Sequence, residues 1–232
     1  MIVVPLGAGI RRWLAVVCSS ALLIAAIRWG LQREAAPVGS APVGVLRSVA
    51  VRSDAVALTF PVPHGTRGVA ATIKVLTAAR TPATFFVGAR YARHHPGHLR
   101  QLLHAGLEVE ALGAAVGAPA CGALRPLEAV GAQPVFLQLR HSPLPPSGLR
   151  RDALRCGLEP VAWTSAAGAA PEVTAAAARP GDILRLAVDP AAASTLPSLL
   201  RTLRSRAYTP LSLEALVALG QGGVAAGARG LA

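Results

Sequence analysis

Residues 56–113 read VALTFPVPHGTRGVAATIKVLTAARTPATFFVGARYARHHPGHLRQLLHAGLEVEALG. Three short apolar runs within it, at 56–60, 83–87 and 107–111, are bounded by turn residues or charges, which is the form of buried strands. Between them, 69–79 and 95–105 carry apolar residues at helical spacing. The second places Leu99, Leu102 and Leu103 on one face and stops at Gly106, a natural helix terminator. Strand, helix, strand, helix, strand with short joins predicts a parallel α/β domain, open or closed into a barrel.

The pattern continues downstream. Strands are expected at 134–139, 160–164 and 182–186, and helices at 148–156, 171–178, 196–207 and 211–219. A Gly/Ala-rich tail over 221–232 is expected to fray. Upstream, Arg11 and Arg12 precede the uncharged run 13–27, which is followed by Arg28 and Trp29. With Arg28 reaching out to the interface, 13–31 is long enough to span a bilayer, with Trp13 and Trp29 at its two boundaries. Cleavage near Val38 and Ser40 is the competing reading, but that site lies far beyond the apolar core. The expected organisation is a transmembrane signal anchor at 1–33, a Pro/Gly linker at 34–44, a globular domain at 45–220 and a flexible tail.

Composition narrows the partners. The chain has 232 residues, an apolar share of 53% and a formal charge of +12, carried by arginine apart from the single Lys74. Such a charge favours an anionic surface: phospholipid, wall polymer or nucleic acid. The arginines are spread from Arg11 to Arg229 with few aromatic residues among them, so a nucleic-acid partner is not expected. Of the three cysteines, Cys121 and Cys156 can pair in an oxidising compartment, and none has the spacing of a zinc site.

The central stretch resembles the first half of a polysaccharide deacetylase of the NodB-homology type, most of all the membrane-anchored kind of spore-forming bacteria. The resemblance rests on Ala57-Leu58-Thr59-Phe60, on Ala83-Thr84-Phe85-Phe86-Val87-Gly88, and on the step from His95-Pro96 through Leu99 to Gly106. Further on, Gly157 to Trp163 resembles the family's G-Y-x-x-V-x-W, and Pro180-Gly181-Asp182-Ile183-Leu184 its x-G-D-I-I-L-L-H. Tyr208 to Leu216 is similar to the terminal G-Y-x-F-V-T-L-x-x-L. The resemblance implies a distorted (β/α) barrel with its site at the C-terminal strand ends. It also implies hydrolysis of N-acetyl groups through a divalent metal such as zinc, an Asp base, two His ligands and a late His acid.

The residues that would carry this chemistry are replaced. Where the family strand ends T-F-D, this chain has Pro61 and Val62. Leu112 and Val116 stand at the two His positions of G-H-E-I-G-x-H-x-x-x-H, and Ala187 stands at the late His. Apolar side chains neither coordinate a cation nor carry a proton. No cofactor is therefore expected. Of the family's R-P-P-Y-G loop, Arg140 alone is retained. Arg140 and Trp163 are the candidate glycan contacts, by a guanidinium fork and an indole stacking face.

His64, His141 and Asp189 could meet at the rim as a replacement metal site, although no local His-x-x-x-His spacing supports the trio. His94 and His98 do have helical i, i+4 spacing, but without a third ligand they read as solvated residues at a helix start. Ser142 and Ser165 lack a nucleophile elbow. The sequence thus points to a deacetylase-like protein of the cell envelope that binds N-acetylated wall glycan with hydrolysis impaired. The alternatives are an active metal-dependent deacetylase with displaced ligands and a non-catalytic envelope or spore interaction module.

Overall fold

The computed structural model describes residues 44–62, 65, 67–113, 120–139, 151, 153–167 and 171–228. The predicted anchor at 1–33 lies outside these residues, as do nearly all of the linker and residues 148–150 and 152 of the predicted helix at 148–156, of which 153–155 are helical. The described fold lies within the unit Val43–Ala232. Among the described residues no helix is long and apolar enough to cross a membrane.

The fold is built on β1 (Ala55–Val62), whose eight residues are all buried. Parallel strands flank it: β2 (Thr84–Gly88), β3 (Glu108–Gly113), β4 (Phe136–Leu139) and β5 (Glu159–Val161) to one side, β7 (Ile183–Leu186) and β6 (Ser165–Ala167) to the other. A short β8 (Thr209–Leu211) adds to the start of β1. The two ends of the strand path, β5 and β6, are separated by only 162–164 in the chain. An extended chain of that length spans roughly 14 Å, so the sheet must curl until its ends approach. The predicted distorted barrel is thus realised as a curled parallel half-barrel.

Alternation along β1 explains its complete burial. Val56, Leu58, Phe60 and Val62 point outward into the layer between sheet and helices, with Phe85, Val109 and Leu137. Ala55 and Ala57 line the concave side with Phe86, Leu112, Phe136, Val161 and Ile183. Small residues on the inner face of the central strand leave room for larger ones arriving from its neighbours.

The helices follow amphipathic rules. α1 (Val69–Ala78) buries Val69, Thr72, Ile73 and Leu76, and α3 (Pro96–His104) buries Leu99 and Leu102. Between β2 and α3 lies α2 (Ala89–His94), and a 3-10 turn (Ala120–Ala123) leads into α4 (Leu124–Glu128). α5 (Pro171–Ala177) and α6 (Pro190–Ser205) follow, α6 burying Leu196, Leu199, Leu200 and Leu203. The last helix, α7 (Leu213–Ala228), puts Leu213 and Leu216 into the concave cluster beside Ala55. It runs well past the predicted end at 219, so part of the expected tail is helical.

Other departures have local causes. α6 starts six residues before the predicted 196, because Asp189 caps it and Pro190 opens it. α2, α4, β6 and β8 were not expected, being too short to show a period. Cys121 and Cys156 form a disulfide with a Cα–Cα distance of 5.6 Å, tying the 3-10 turn to the approach to β5.

Candidate functional site

In a parallel sheet of this kind the site lies at the C-terminal strand ends, which the curl gathers into one rim. Pro61 and Leu112 stand there. Both are buried, on neighbouring registers of the concave side: Pro61 pairs with Phe86, and Leu112 lies between Gly88 and Gln138. A proline in a central strand would normally forfeit a ladder bond. Here Ala57 sends its N–H to Asp182, which puts the N–H groups of the odd residues on the β7 side, and β7 pairing ends at Thr59. Pro61 lies one step beyond and loses nothing.

Val62 points the other way, into the core beneath the helices. Its sequence position beside Pro61 suggests a replaced site residue, but alternation turns its side chain away from the concave face. Ala187 follows β7 and is half-buried, and Trp163 is half-buried against the concave cluster. Val116, His64, Arg140 and His141 lie outside the described residues.

Asp189 is exposed, and its Oδ1 accepts the N–H of Ala192 at 2.8 Å. Its carboxylate is engaged in capping α6, a duty that its sequence position ahead of Pro190 could have disclosed. His94 and His98 are not on one helix: the chain leaves helical geometry at His95, and Pro96 starts α3. The Nδ1 of His94 bonds the Arg90 carbonyl at 2.7 Å, whereas His98 Nδ1 bonds the Tyr91 hydroxyl at 2.9 Å. Burial pushes the Tyr91 hydroxyl up to about 12.

Sequence reading missed the polar groups of the concave wall. Thr59 donates to the Leu184 carbonyl at 3.0 Å and lies 3.5 Å from Gln138 Nε2. Gln138 is fully buried, and its Oε1 has no hydrogen-bond partner. Arg185, the register partner of Thr59, is half-buried with its guanidinium carbon 4.7 Å from the centre of the Trp163 ring. Desolvation lowers its pKa, yet a guanidinium stays charged in such surroundings.

Deeper in the half-barrel, Glu110 accepts the N–H groups of Val135 and Phe136 at 2.8 and 2.7 Å. Burial lifts its carboxyl to about 8, and the neighbouring Glu108 adds to the rise. Glu108 accepts from Thr84 at 2.6 Å and meets the Glu214 N–H at 3.3 Å, so the first turn of α7 sits on it. Alternation could have put both acids on one strand face, but their partners come from distant segments.

Among the described residues the donor set does not fit a divalent cation. Pro61, Leu112 and Ala187 offer only carbon at the positions where the resemblance requires oxygen and nitrogen. Among the described residues no group of three His, Cys, Asp or Glu side chains could hold a metal ion.

The geometry defines a class: a curled parallel α/β domain with its rim at the strand tips. Residues 48–115 match the family model described as polysaccharide deacetylase. The fold is similar to that of a family 4 carbohydrate esterase from Bacillus anthracis, with TM-score 0.64 and 20% identity over 76% of this chain and 88% of that one. It is equally similar to a family 4 pseudoenzyme from the same organism, with TM-score 0.65 and 16% identity over 77% and 70%. A Bacillus subtilis family 4 esterase matches with TM-score 0.60 and 18% identity over 74% and 84%. No curated protein matches the sequence.

Proposed function

We propose that this chain is a deacetylase-like domain of the cell envelope that has lost metal-dependent hydrolysis and acts by binding N-acetylated glycan. The observation that carries this reading is the pair of buried groups at the rim. Pro61 and Leu112 pack as hydrocarbon where a base and a metal ligand would have to stand. Removing one member of a catalytic set commonly costs orders of magnitude in rate, and here several are replaced together.

Two further facts support parts of the reading. The pseudoenzyme of Bacillus anthracis is a family 4 protein of the same fold, and a mutant of it is described as having restored enzymatic activity. The Cys121–Cys156 disulfide suits an oxidising compartment, in keeping with an anchor at 13–31 that holds the domain outside the membrane. Within the rim, Trp163 offers an aromatic face of the kind that stacks on a sugar ring.

Binding is tested by incubating the full chain in detergent with insoluble chitin and with peptidoglycan, before and after chemical removal of their acetyl groups. Retention that falls when the acetyl groups are removed is expected. Equal retention on both forms, or none on either, contradicts the glycan reading; recovery of a protein partner instead favours an interaction module.

A further inference from the structure

Every strand pair of the half-barrel is parallel, so the segments that lead into the strands meet at the end opposite the rim. Segments 44–54, 79–83, 178–182 and 204–208, which enter β1, β2, β7 and β8, carry Arg47, Arg52, Arg80, Arg179, Arg204 and Arg206. Six arginines thus stand against two acids, Asp54 and Asp182. Hydrogen bonds draw these segments together. Arg204 donates to the Ala79 carbonyl at 2.9 Å and to the Thr81 hydroxyl at 3.2 Å, and Arg206 donates to the Ala175 carbonyl at 2.7 Å. Val49 donates its N–H to the Gly181 carbonyl at 2.9 Å, and Thr209 donates its own to the Asp54 carbonyl at 2.7 Å. Asp182 is occupied by the Arg179 N–H at 2.8 Å, whereas Arg47, Arg52, Arg80 and Arg179 are exposed. Like charges gathered on one face repel one another, a cost that a layer of anions removes.

The same end exposes hydrocarbon. Val135, Leu154 and Leu219 are the exposed large apolar side chains among the described residues. Val135 and Leu154, on the segments ahead of β4 and β5, line an open groove of about 720 Å³ with Val45, Leu46 and Pro160, and one acid, Glu159, lines it too. Leu46 is held there by its N–H bond to the Pro160 carbonyl at 2.9 Å. Leu219 precedes Gly220, which packs on Val49 and Ala50. All three apolar side chains therefore border 44–51, the segment by which the chain from the expected anchor joins the domain. Exposed hydrocarbon beside guanidinium groups is the composition of surfaces that settle into the headgroup layer of an anionic bilayer.

We infer that the end of the half-barrel opposite the rim docks on a phospholipid surface that carries anionic headgroups. The exposed guanidinium groups pair with lipid phosphates, and Val135, Leu154 and Leu219 enter the boundary between headgroups and acyl chains. β1 separates the two ends by roughly 26 Å, so docking here turns the rim away from the bilayer and leaves it open to glycan. The inference rests on the envelope reading of the domain and adds its orientation.

Hydrogen–deuterium exchange of the full chain in nanodiscs tests this, with discs of phosphatidylcholine alone and of phosphatidylcholine mixed with phosphatidylglycerol. Amides of 44–54 and 176–182 are expected to exchange more slowly in the anionic discs, and the difference to fade as salt rises. α2, which follows the C-terminal end of β2, is expected to exchange alike in both. An arginine at such a surface accounts for about fivefold in affinity, so Arg52→Gln with Arg179→Gln should weaken docking roughly 25-fold. Arg90→Gln with Arg93→Gln removes the same charge from α2 and should leave docking in place. Thermal melts confirm that each variant is folded, and the salt dependence of the native chain tests the charge without any variant. Equal exchange in both discs, slowing at α2 instead, or equal effects of the two variant pairs overturns the docking. Protection of 13–31 reports the anchor separately: if it persists with none at 44–54, docking alone fails, and if neither segment is protected both readings fail.

Discussion

Glu110 is a carboxylic acid on the inner face of a central strand, 2% exposed, with two backbone N–H groups aimed at one of its oxygens. Those bonds favour the charged form, but desolvation is the larger effect and raises its pKa to about 8. The direction fixes the pH dependence. Below about pH 4.5 the carboxyl is protonated in folded and unfolded chains alike, and its contribution to stability is at its greatest. As pH rises toward 8 the unfolded chain releases the proton while the folded one keeps it, so stability falls across that window and then levels off. The loss is on the order of 5 kcal/mol. Glu110→Gln keeps an acceptor for both amides without the charge. Denaturant melts from pH 5 to pH 8.5 should show the native slope largely flattened in this variant, with greater stability than native at pH 8; parallel slopes would refute the assignment. The strand 107–111 was legible from its apolar alternation. The role of Glu110 was not, because the amides that hold it belong to Val135 and Phe136, which only the fold brings near.

At the scale of elements, the long strands and helices could be read because each repeats its period several times, as Val56 to Phe60 and Leu99 to Leu103 do. β8 has three residues, one of them Pro210, and α4 has five with Pro126 inside; neither shows a period to detect. Three devices at element ends make measurable contributions. Asp189→Ala should cost about 1 kcal/mol through the lost α6 cap, with Asp189→Asn retaining most of it. At the start of α1, Gly68 has φ 90°, and a Cβ there would come within 2.5 Å of the Asp189 backbone. Gly68→Ala should therefore cost more than the cap itself, both values being read from urea midpoints. The Cys121–Cys156 crosslink closes a loop of 35 residues, which by chain entropy is worth about 4 kcal/mol. The double variant Cys121→Ser with Cys156→Ser should melt at markedly lower temperature than native protein, whose melting should itself fall under reductant. An unchanged melting temperature would contradict that role.

For the whole molecule, the half-barrel shares the fold of family 4 carbohydrate esterases, and at Pro61, Leu112 and Ala187 its rim carries only hydrocarbon side chains. Part of this is legible in the chain, where Ala57 to Phe60 and Ala83 to Gly88 set the register that puts Pro61 and Leu112 at the strand ends. Arg185 and Gln138 escaped notice because a lone polar residue in a buried strand has no pattern, and its direction depends on the curl. The most direct test of the central claim is acetate release from chitooligosaccharide and from peptidoglycan by the full chain, with zinc or cobalt added, beside an active family 4 esterase as control. The account predicts release no faster than the protein-free blank at any metal concentration. Clear turnover that a chelator abolishes and added metal restores would contradict it.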